Sequence, residues 1–128
     1  MERVVPVLGI DDYQQACEYY VKALGFRIDF EHRHEPGFPV HMGVQRGDVY
    51  LHLSEHSRGQ PGSEIYIFVK DIQEWWARCR QHNLQTDGEP RKKPWGNTEL
   101  TLTDPFRNTI RLSEINTHPG QSTPNKDA

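Results

Sequence analysis

The chain carries the same pattern of predicted elements twice, and this internal repeat limits the folds open to it more than any other feature. Asp11 and Asp71 each follow a β-branched segment and precede a helical run of apolar residues, as helix N-caps do. These aspartates lie 60 residues apart, and the predicted helix ends Leu24 and Leu84 lie 60 residues apart as well. The repeat therefore predicts a duplicated β-α-β-β-β unit.

The spacing of apolar residues places the elements of each unit. It predicts strands over 3–10, 26–34, 40–44 and 49–53 around a helix that ends at Leu24, and strands over 65–69, 85–91, 97–103 and 109–114 around a helix that begins after Asp71. The predicted fold class is α+β, with two paired βαβββ units that form curved mixed sheets and carry their helices outside. We expect a single domain over 1–115, half-units over about 1–54 and 64–115, and a flexible tail over 116–128. Alternate strand residues would line a concave face, which is the expected ligand site.

Composition and charge narrow the function. The 15 Lys and Arg against 18 Asp and Glu give a formal charge of −3, which argues against non-specific nucleic acid binding because phosphate contacts need a basic face. The chain has no run of about 18 apolar residues to span a membrane, and its N-terminus lacks the features of a signal peptide. We therefore predict a cytoplasmic protein with no nucleic acid or membrane partner. Apolar residues make up only 34% of the chain, which predicts a small hydrophobic core. A subunit interface would add buried apolar surface to that core.

Nucleophilic catalysis has little support in the sequence. The chain has no Gly-x-Ser-x-Gly motif, and Cys17 and Cys79 fall on the buried stripes of the two predicted helices. Trp75 and Trp76 are consecutive, so one is expected in the core and the other partly exposed.

Two runs of residues resemble a known family. The opening run is Val5-Pro6-Val7-Leu8, Asp11, Tyr19-Tyr20 and Leu24-Gly25-Phe26. The closing run is Pro94-Trp95-Gly96, Glu99-Leu100, Leu102-Thr103-Asp104-Pro105, Asn108 and Ile110. Over residues 3–115 the chain resembles the glyoxalase / bleomycin-resistance / dioxygenase (vicinal oxygen chelate) superfamily, and the closing run is similar to its bleomycin-resistance branch. Arg107 replaces the glycine usual in the family, and because arginine tolerates positive φ poorly, we expect a different turn there.

The resemblance implies a homodimer with ligand sites in grooves at the subunit interface. In the bleomycin-resistance branch the N-terminal strand can be exchanged between subunits, with a proline like Pro6 at the crossover. Because Pro6 cannot donate to a strand ladder, a plain edge strand is the alternative. Metal-free members bind a large, flat, cationic antibiotic. This implies that the chain sequesters a small aromatic or cationic molecule, such as a bleomycin-type glycopeptide, without catalysis.

Nine residues are the candidate ligand contacts: Asp29, Phe30, Phe38, His52, Ser54, Tyr66, Trp95, Glu99 and Arg111. The rings of Phe30, Tyr66 and Trp95 offer faces for stacking and cation–π contacts. Ser54 and Glu99 offer hydrogen bonds to the rim of such a ligand. The alternatives are a core strand position for Tyr66 and a rigid loop anchor for Trp95.

The resemblance also implies where a metal would be held. The four family positions correspond to Val4, His52, Glu64 and Arg111. Valine has no donor atom and arginine carries a permanent cation, which leaves His52 and Glu64, fewer than the three protein ligands a site needs. We therefore predict no cofactor, and an enzymatic function is not favoured.

A metal-dependent glyoxalase-like lyase or dioxygenase is the alternative, with a divalent metal such as Zn, Ni or Fe. It would use His52 and Glu64 together with a histidine outside the family pattern. Four histidines are candidates because they lie on or near neighbouring predicted strands: His32, His34, His41 and His56. The simpler interpretation is that these are solvent-facing polar residues.

Overall fold

The computed structural model describes residues 1–57 and 62–116. Its strands are β1 (Val7–Gly9), β2 (Arg27–His32), β3 (His41–Arg46), β4 (Val49–Ser54), β5 (Glu64–Phe68), β6 (Arg91–Lys92), β7 (Thr98–Thr103) and β8 (Thr109–Glu114). Helix α1 (Tyr13–Ala16) continues as a π-helical segment (Cys17–Ala23), α2 is Ile72–Gln81, and a 3-10 turn covers Glu55–Ser57. None of the helices in these two ranges is long and apolar enough to cross a membrane. Of the predicted tail 116–128, all but Asn116 lies outside the described residues.

The strands form two four-stranded mixed sheets with the same internal order. In the first sheet, β1-β4-β3-β2, strand β1 runs parallel to β4 and the other neighbours are antiparallel. The second sheet, β5-β8-β7-β6, repeats this arrangement with β5 parallel to β8. The α+β fold of two βαβββ units, which the repeat predicted, is confirmed.

The chain divides into two compact units, one around each sheet. The first is Met1–Ser63 with the loop Asp104–Asn108, and the second is Glu64–Thr103 with the residues from Thr109 onward. Buried apolar residues of the first unit include Leu8, Ile10, Tyr20, Leu24, Phe26, Met42, Val44, Leu51 and Leu53. Those of the second unit are Ile72, Trp75, Cys79, Leu100, Leu102, Ile110 and Leu112.

The internal repeat is visible in the hydrogen bonds that end the two helical segments. The Leu24 N–H donates to the Tyr19 carbonyl at 3.0 Å, and the Leu84 N–H donates to the Cys79 carbonyl at 2.9 Å. Each bond reaches five residues back, one residue further than in an α-helix, and satisfies an otherwise free carbonyl at the helix end. The 60-residue offset therefore holds for donors and acceptors alike.

The N-caps correct one detail of the predicted repeat. Asp12, not Asp11, caps the first helix, because its side chain accepts a hydrogen bond from the Gln15 N–H at 2.9 Å. Asp71 caps the second helix and accepts from the Glu74 N–H at 3.3 Å. Two adjacent aspartates can each serve as a cap, so the sequence could not choose between them.

Two predicted strands are shorter than their apolar patterns suggested. The first begins only at Val7, because Pro6 has no N–H to donate; its carbonyl accepts from the His52 N–H at 2.9 Å. In place of the strand predicted over 85–91, the structure has a single bridge at Thr86 and the two-residue β6. A turn interrupts this segment, since Gly88 has a φ of 123° and donates its N–H to the Thr86 hydroxyl.

Helix α2 packs its apolar side against β7 and β8 of the second sheet. Trp75 is buried in this contact and Trp76 is half-exposed, as predicted for consecutive residues on a helix. Cys79 is buried, and burial raises the pKa of its thiol to about 11, so the thiolate nucleophile is disfavoured. Cys17 is a free, half-buried thiol on the π-helical segment.

A buried carboxylate organises the first unit. Asp104 accepts hydrogen bonds from the Tyr20 hydroxyl at 2.5 Å, from the Asn108 amide at 2.9 Å, and from the backbone N–H groups of Phe106 and Asn108. The Asn108 amide also donates to the Gly9 carbonyl at 2.9 Å. Burial, together with the adjacent Asp104 carboxylate, holds the pKa of Tyr20 well above its usual range, so Tyr20 stays a donor.

The loop that holds Asp104 turns at Arg107, which has a φ of 69°. The turn geometry is thus the left-handed one that glycine favours, and the expectation of a different turn type was wrong. The Asp104 carbonyl accepts the Arg107 N–H at 3.1 Å, and the bonds from Phe106 and Asn108 fix both flanking residues. This network holds the backbone of an arginine in a conformation it would not choose alone.

We expect Arg107→Gly to raise the free energy of unfolding by about 0.5–1 kcal/mol, because glycine adopts positive φ without a Cβ clash. The matched control is Asn83→Gly: Asn83 has a φ of 54°, and asparagine tolerates this region better, so its gain should be smaller. Chemical denaturation of the two variants measures both changes. A loss of stability in Arg107→Gly would contradict the strain at this turn.

We expect Asp104→Ala to lower the free energy of unfolding by about 3 kcal/mol or more, since it leaves several buried donors unpaired. Tyr20→Phe removes one donor and leaves the carboxylate with its other partners, so it should cost only about 1 kcal/mol. Thermal and chemical unfolding of both variants would rank them. Equal losses would mean that the carboxylate does not organise this loop.

Candidate ligand-binding surfaces

One face of the second sheet carries the polar and aromatic side chains. The strand registers place on it Glu64, Tyr66 and Phe68 from β5, Thr109, Arg111 and Ser113 from β8, and Glu99, Thr101 and Thr103 from β7. The alternate residues of β7 and β8, among them Leu100 and Leu112, are buried on the side that faces α2. We call the first set the polar face of the second sheet.

A buried carboxylate lies on this face near the start of β7. Glu99 is only 3% exposed, and its Oε2 accepts hydrogen bonds from the Tyr66 hydroxyl, from the Trp95 indole N–H at 3.1 Å and from the Ser113 hydroxyl at 3.1 Å. A carboxylate can be buried when hydrogen-bond donors surround it, because charge-assisted hydrogen bonds offset the loss of its hydration. These three donors come from different segments of the chain. Glu99 therefore fixes the edges of two aromatic rings.

The turn that carries Trp95 is itself held in place. The Gly96 N–H donates to the Lys93 carbonyl at 2.9 Å, and Gly96 has a φ of 102°, which closes a tight turn. Asn116 donates to the Gly96 carbonyl at 3.0 Å and to the Thr98 hydroxyl at 2.6 Å. The backbone of the Trp95 turn and the indole N–H of Trp95 are thus both held by hydrogen bonds.

Three rings on this face remain accessible, and we call them the ring surface: Tyr66, Phe68 and Trp95. They are 46%, 60% and 49% exposed. The centroids of Tyr66 and Phe68 lie 5.3 Å apart at an angle of 51°. Tyr66 is accordingly not a core residue. Phe68 was not among the predicted contacts, although period-two alternation from Tyr66 along β5 would have found it.

Arg111 occupies the centre of the same face. Its Nη2 forms an ion pair with Glu64 at 2.8 Å, and the two side chains are 40% and 55% exposed. Among the described residues, no acceptor contacts its Nε, although that atom is buried. In the sheet register Arg111 lies between Tyr66 on β5 and Thr101 on β7.

The first unit has a second candidate surface, formed around Phe30. The Phe30 ring lies over Gly43, where a built Cβ would clash with it. It stacks against His41 with centroids 6.3 Å apart and meets His52 edge-on at 5.2 Å. The two imidazoles share a hydrogen bond of 3.0 Å between His41 Nε2 and His52 Nδ1.

Of these two histidines, His41 favours its neutral state. Burial lowers the pKa of His41, and His52, His56 and His32 lower it further because a second positive charge would lie close by. A neutral His41 can share one proton with His52. The pair is thus an aromatic and hydrogen-bonding wall beside Phe30.

The other predicted contacts of the first unit lie apart from this pair. Asp29 is ion-paired with Arg27 at 3.2 Å on β2. Ser54 is buried, and its hydroxyl accepts the His56 N–H at 3.1 Å. Phe38 lies in the β2–β3 loop against His34, with ring centroids 6.0 Å apart. Of the first-unit candidates, the structure brings together only Phe30 and His52.

The residues at the four family metal positions do not fit a divalent cation. Val4 has no donor, and counting seven residues back from the true cap Asp12 reaches Val5, which has none either. His52 Nδ1 is engaged by His41, and the Glu64 carboxylate is engaged by the Arg111 cation. Within 1–57 and 62–116, no group of three or more His, Cys, Asp or Glu side chains could hold a metal ion.

Comparisons with known proteins agree with this fold. A solved bleomycin-binding protein in complex with bleomycin has 25% sequence identity and a TM-score of 0.68, covering 91% of this chain and 100% of its own. A bleomycin resistance determinant encoded on the transposon Tn5 has 24% identity and a TM-score of 0.71, covering 89% and 98%. The fosfomycin resistance protein FosX from Listeria monocytogenes shares the fold at 8% identity, with a TM-score of 0.70 and coverage of 88% and 91%.

No curated protein sequence matches the chain. A family model described as "Glyoxalase superfamily protein" matches residues 1–118, which is most of the sequence. This confirms the family that the sequence motifs predicted. The chain belongs to the glyoxalase superfamily.

Proposed function

We propose that this protein binds a small molecule with a planar aromatic group on the ring surface, without catalysing a reaction. The observation that carries the proposal is the set of three exposed rings, two of them held by the buried Glu99 carboxylate. Rings fixed at their polar edges lose little entropy when a flat ligand stacks on their faces. The residues at the family metal positions favour binding over metal chemistry.

The expected affinity of the rings alone is modest. Covering about 300 Å² of apolar surface at about 25 cal/mol per Å² contributes about 7 kcal/mol. The cost of association removes several kcal/mol of this, so stacking alone gives a dissociation constant nearer millimolar than nanomolar. Polar contacts beside the rings must therefore set both affinity and selectivity.

A bleomycin-type glycopeptide is the first ligand to test. The bleomycin-binding protein that shares this fold at 25% identity was solved with bleomycin bound. The sequence run that resembles the bleomycin-resistance branch includes Trp95, and Trp95 is half-exposed on a fixed turn. Sequestration of such an antibiotic is the proposed role.

The proposal includes a homodimer, because many large apolar side chains of the described residues are exposed. They are Val4, Val7, Ile28, Phe30, Phe38, Tyr66, Phe68, Trp95 and Ile115. Monomeric proteins rarely leave so much apolar surface to water, and a second subunit would cover part of it. The grooves beside such an interface are where we place the ligand.

A calorimetric titration with metal-free bleomycin tests the binding site. We expect Trp95→Ala to weaken binding about tenfold or more, because the largest stacking face is lost. Trp76→Ala is the matched control: it removes a half-exposed tryptophan from α2, away from the polar face, and should leave the affinity unchanged.

Two outcomes would count against this proposal in different ways. No binding to the wild type below about a millimolar dissociation constant would rule out bleomycin sequestration. Binding that survives Trp95→Ala would mean that the ligand lies elsewhere on the protein.

Sedimentation velocity at micromolar concentration tests the assembly. The chain has a mass of 14.9 kDa, and we expect a species of twice that mass. A monomer under these conditions would contradict the dimer and leave the exposed apolar side chains without a cover.

A further inference from the structure

The charges on the polar face of the second sheet are not equally available to a ligand. Glu99 is only 3% exposed and its Oε2 already accepts three hydrogen bonds, so its carboxylate is poorly accessible to a ligand cation. The Glu64 carboxylate forms a half-exposed ion pair with Arg111 at 2.8 Å. Arg111 itself uses Nη2 for that pair, while no acceptor among the described residues reaches its Nε.

An unpaired buried donor in a folded protein calls for an explanation, and one explanation is an absent ligand. The Nε and one Nη of a guanidinium form a fork that matches the two oxygens of a carboxylate. At Arg111 the Nη2 arm of this fork is paired with Glu64, and the Nε arm is buried without a hydrogen-bond acceptor among the described residues. The pair with Glu64 is also half-exposed, and such exposed pairs contribute little and exchange readily.

The position of Arg111 connects this donor to the ring surface. It is the register partner of Tyr66 on one side and of Thr101 on the other, so a ring, a guanidinium and a hydroxyl follow one another across three strands. Neighbouring strands lie about 4.8 Å apart. This spacing suits a molecule whose anionic group stands one or two bonds away from an aromatic ring.

We propose that Arg111 binds the carboxylate of an aromatic acid whose ring lies on the ring surface, so that this site accepts an anionic group beside the ring. This inference rests on the proposed function, because it names the chemistry of the same site. The ligand carboxylate takes the place of Glu64 at Nη2 and supplies the acceptor that Nε lacks. Thr101 offers a hydroxyl to the second oxygen.

Two probes with the same ring and opposite charge test the inference: indole-3-acetate and tryptamine. Calorimetric titration is the measurement, since indole absorbs where the protein's tryptophans do. For the wild type we expect indole-3-acetate to bind about tenfold more tightly than tryptamine, the size expected for one charge-assisted contact. Equal binding, or tighter binding of tryptamine, would overturn the inference.

A pair of variants should move the two probes in opposite directions. Arg111→Gln should weaken the binding of indole-3-acetate about tenfold and should leave the binding of tryptamine as tight as in the wild type or tighter. Glu64→Gln removes the competing carboxylate, so it should strengthen indole-3-acetate a few-fold and weaken tryptamine. Thermal unfolding of both variants shows that the fold is intact. If Arg111→Gln leaves indole-3-acetate unchanged, Arg111 is not the anion site.

The same titrations separate failure of this inference from failure of the proposed function. If tryptamine or bleomycin binds through Trp95 but indole-3-acetate does not bind, the ring surface is a binding site and the anionic class is wrong. If none of the three binds the wild type, both the ring surface as a ligand site and the role given to Arg111 are wrong.

Discussion

The carboxylate of Glu99 determines how the polar face of the second sheet is arranged. A charge buried to this degree is tolerated only where donors surround it, and here they come from β5, from β8 and from the turn before β7. Tyr66 and Trp95 must therefore direct their polar edges inward, which leaves their faces to solvent. The exposure of these rings follows from the need to satisfy one buried acid.

The fold could be predicted from the sequence because its information is local and occurs twice. In the sequence, each helix is indicated by an aspartate at its start and a stripe of apolar residues along it. The 60-residue spacing between the two repeats recurs in the hydrogen bonds that end both helices. The failures were at positions where a local rule has two solutions or a tertiary contact overrides it. Asp11 and Asp12 are equally good caps, and Arg107 adopts positive φ because the Asp104 network holds both of its neighbours.

The candidate site was predictable only in part. Motif resemblance found Tyr66, Trp95, Glu99 and Arg111, and the structure places all four on one face of one sheet or its adjoining turn. The resemblance could not show that Glu99 is buried and that its Oε2 already accepts three hydrogen bonds from neighbouring side chains. These contacts depend on side-chain conformations on different strands, which the sequence does not specify. That the buried Nε of Arg111 has no acceptor within residues 1–57 and 62–116 also cannot be read from the sequence, because a missing partner leaves no motif. Asp29 and Ser54 carry suitable groups, but Arg27 and the His56 backbone already engage them.

The contact between Phe30 and Gly43 has a consequence for how this surface can change over evolution. Gly43 lies at the centre of the first sheet, on the strand next to β2, and its lack of a side chain is what lets the Phe30 ring lie flat beside His41 and His52. A side chain at position 43 would clash with the Phe30 ring and displace it from the two histidines. The two positions form a linked pair: a side chain can be gained at one only when the ring is lost at the other. A lineage that kept both Phe30 and Gly43 would be able to vary His41 and His52 without rebuilding the sheet. Such changes would alter the chemistry of this surface.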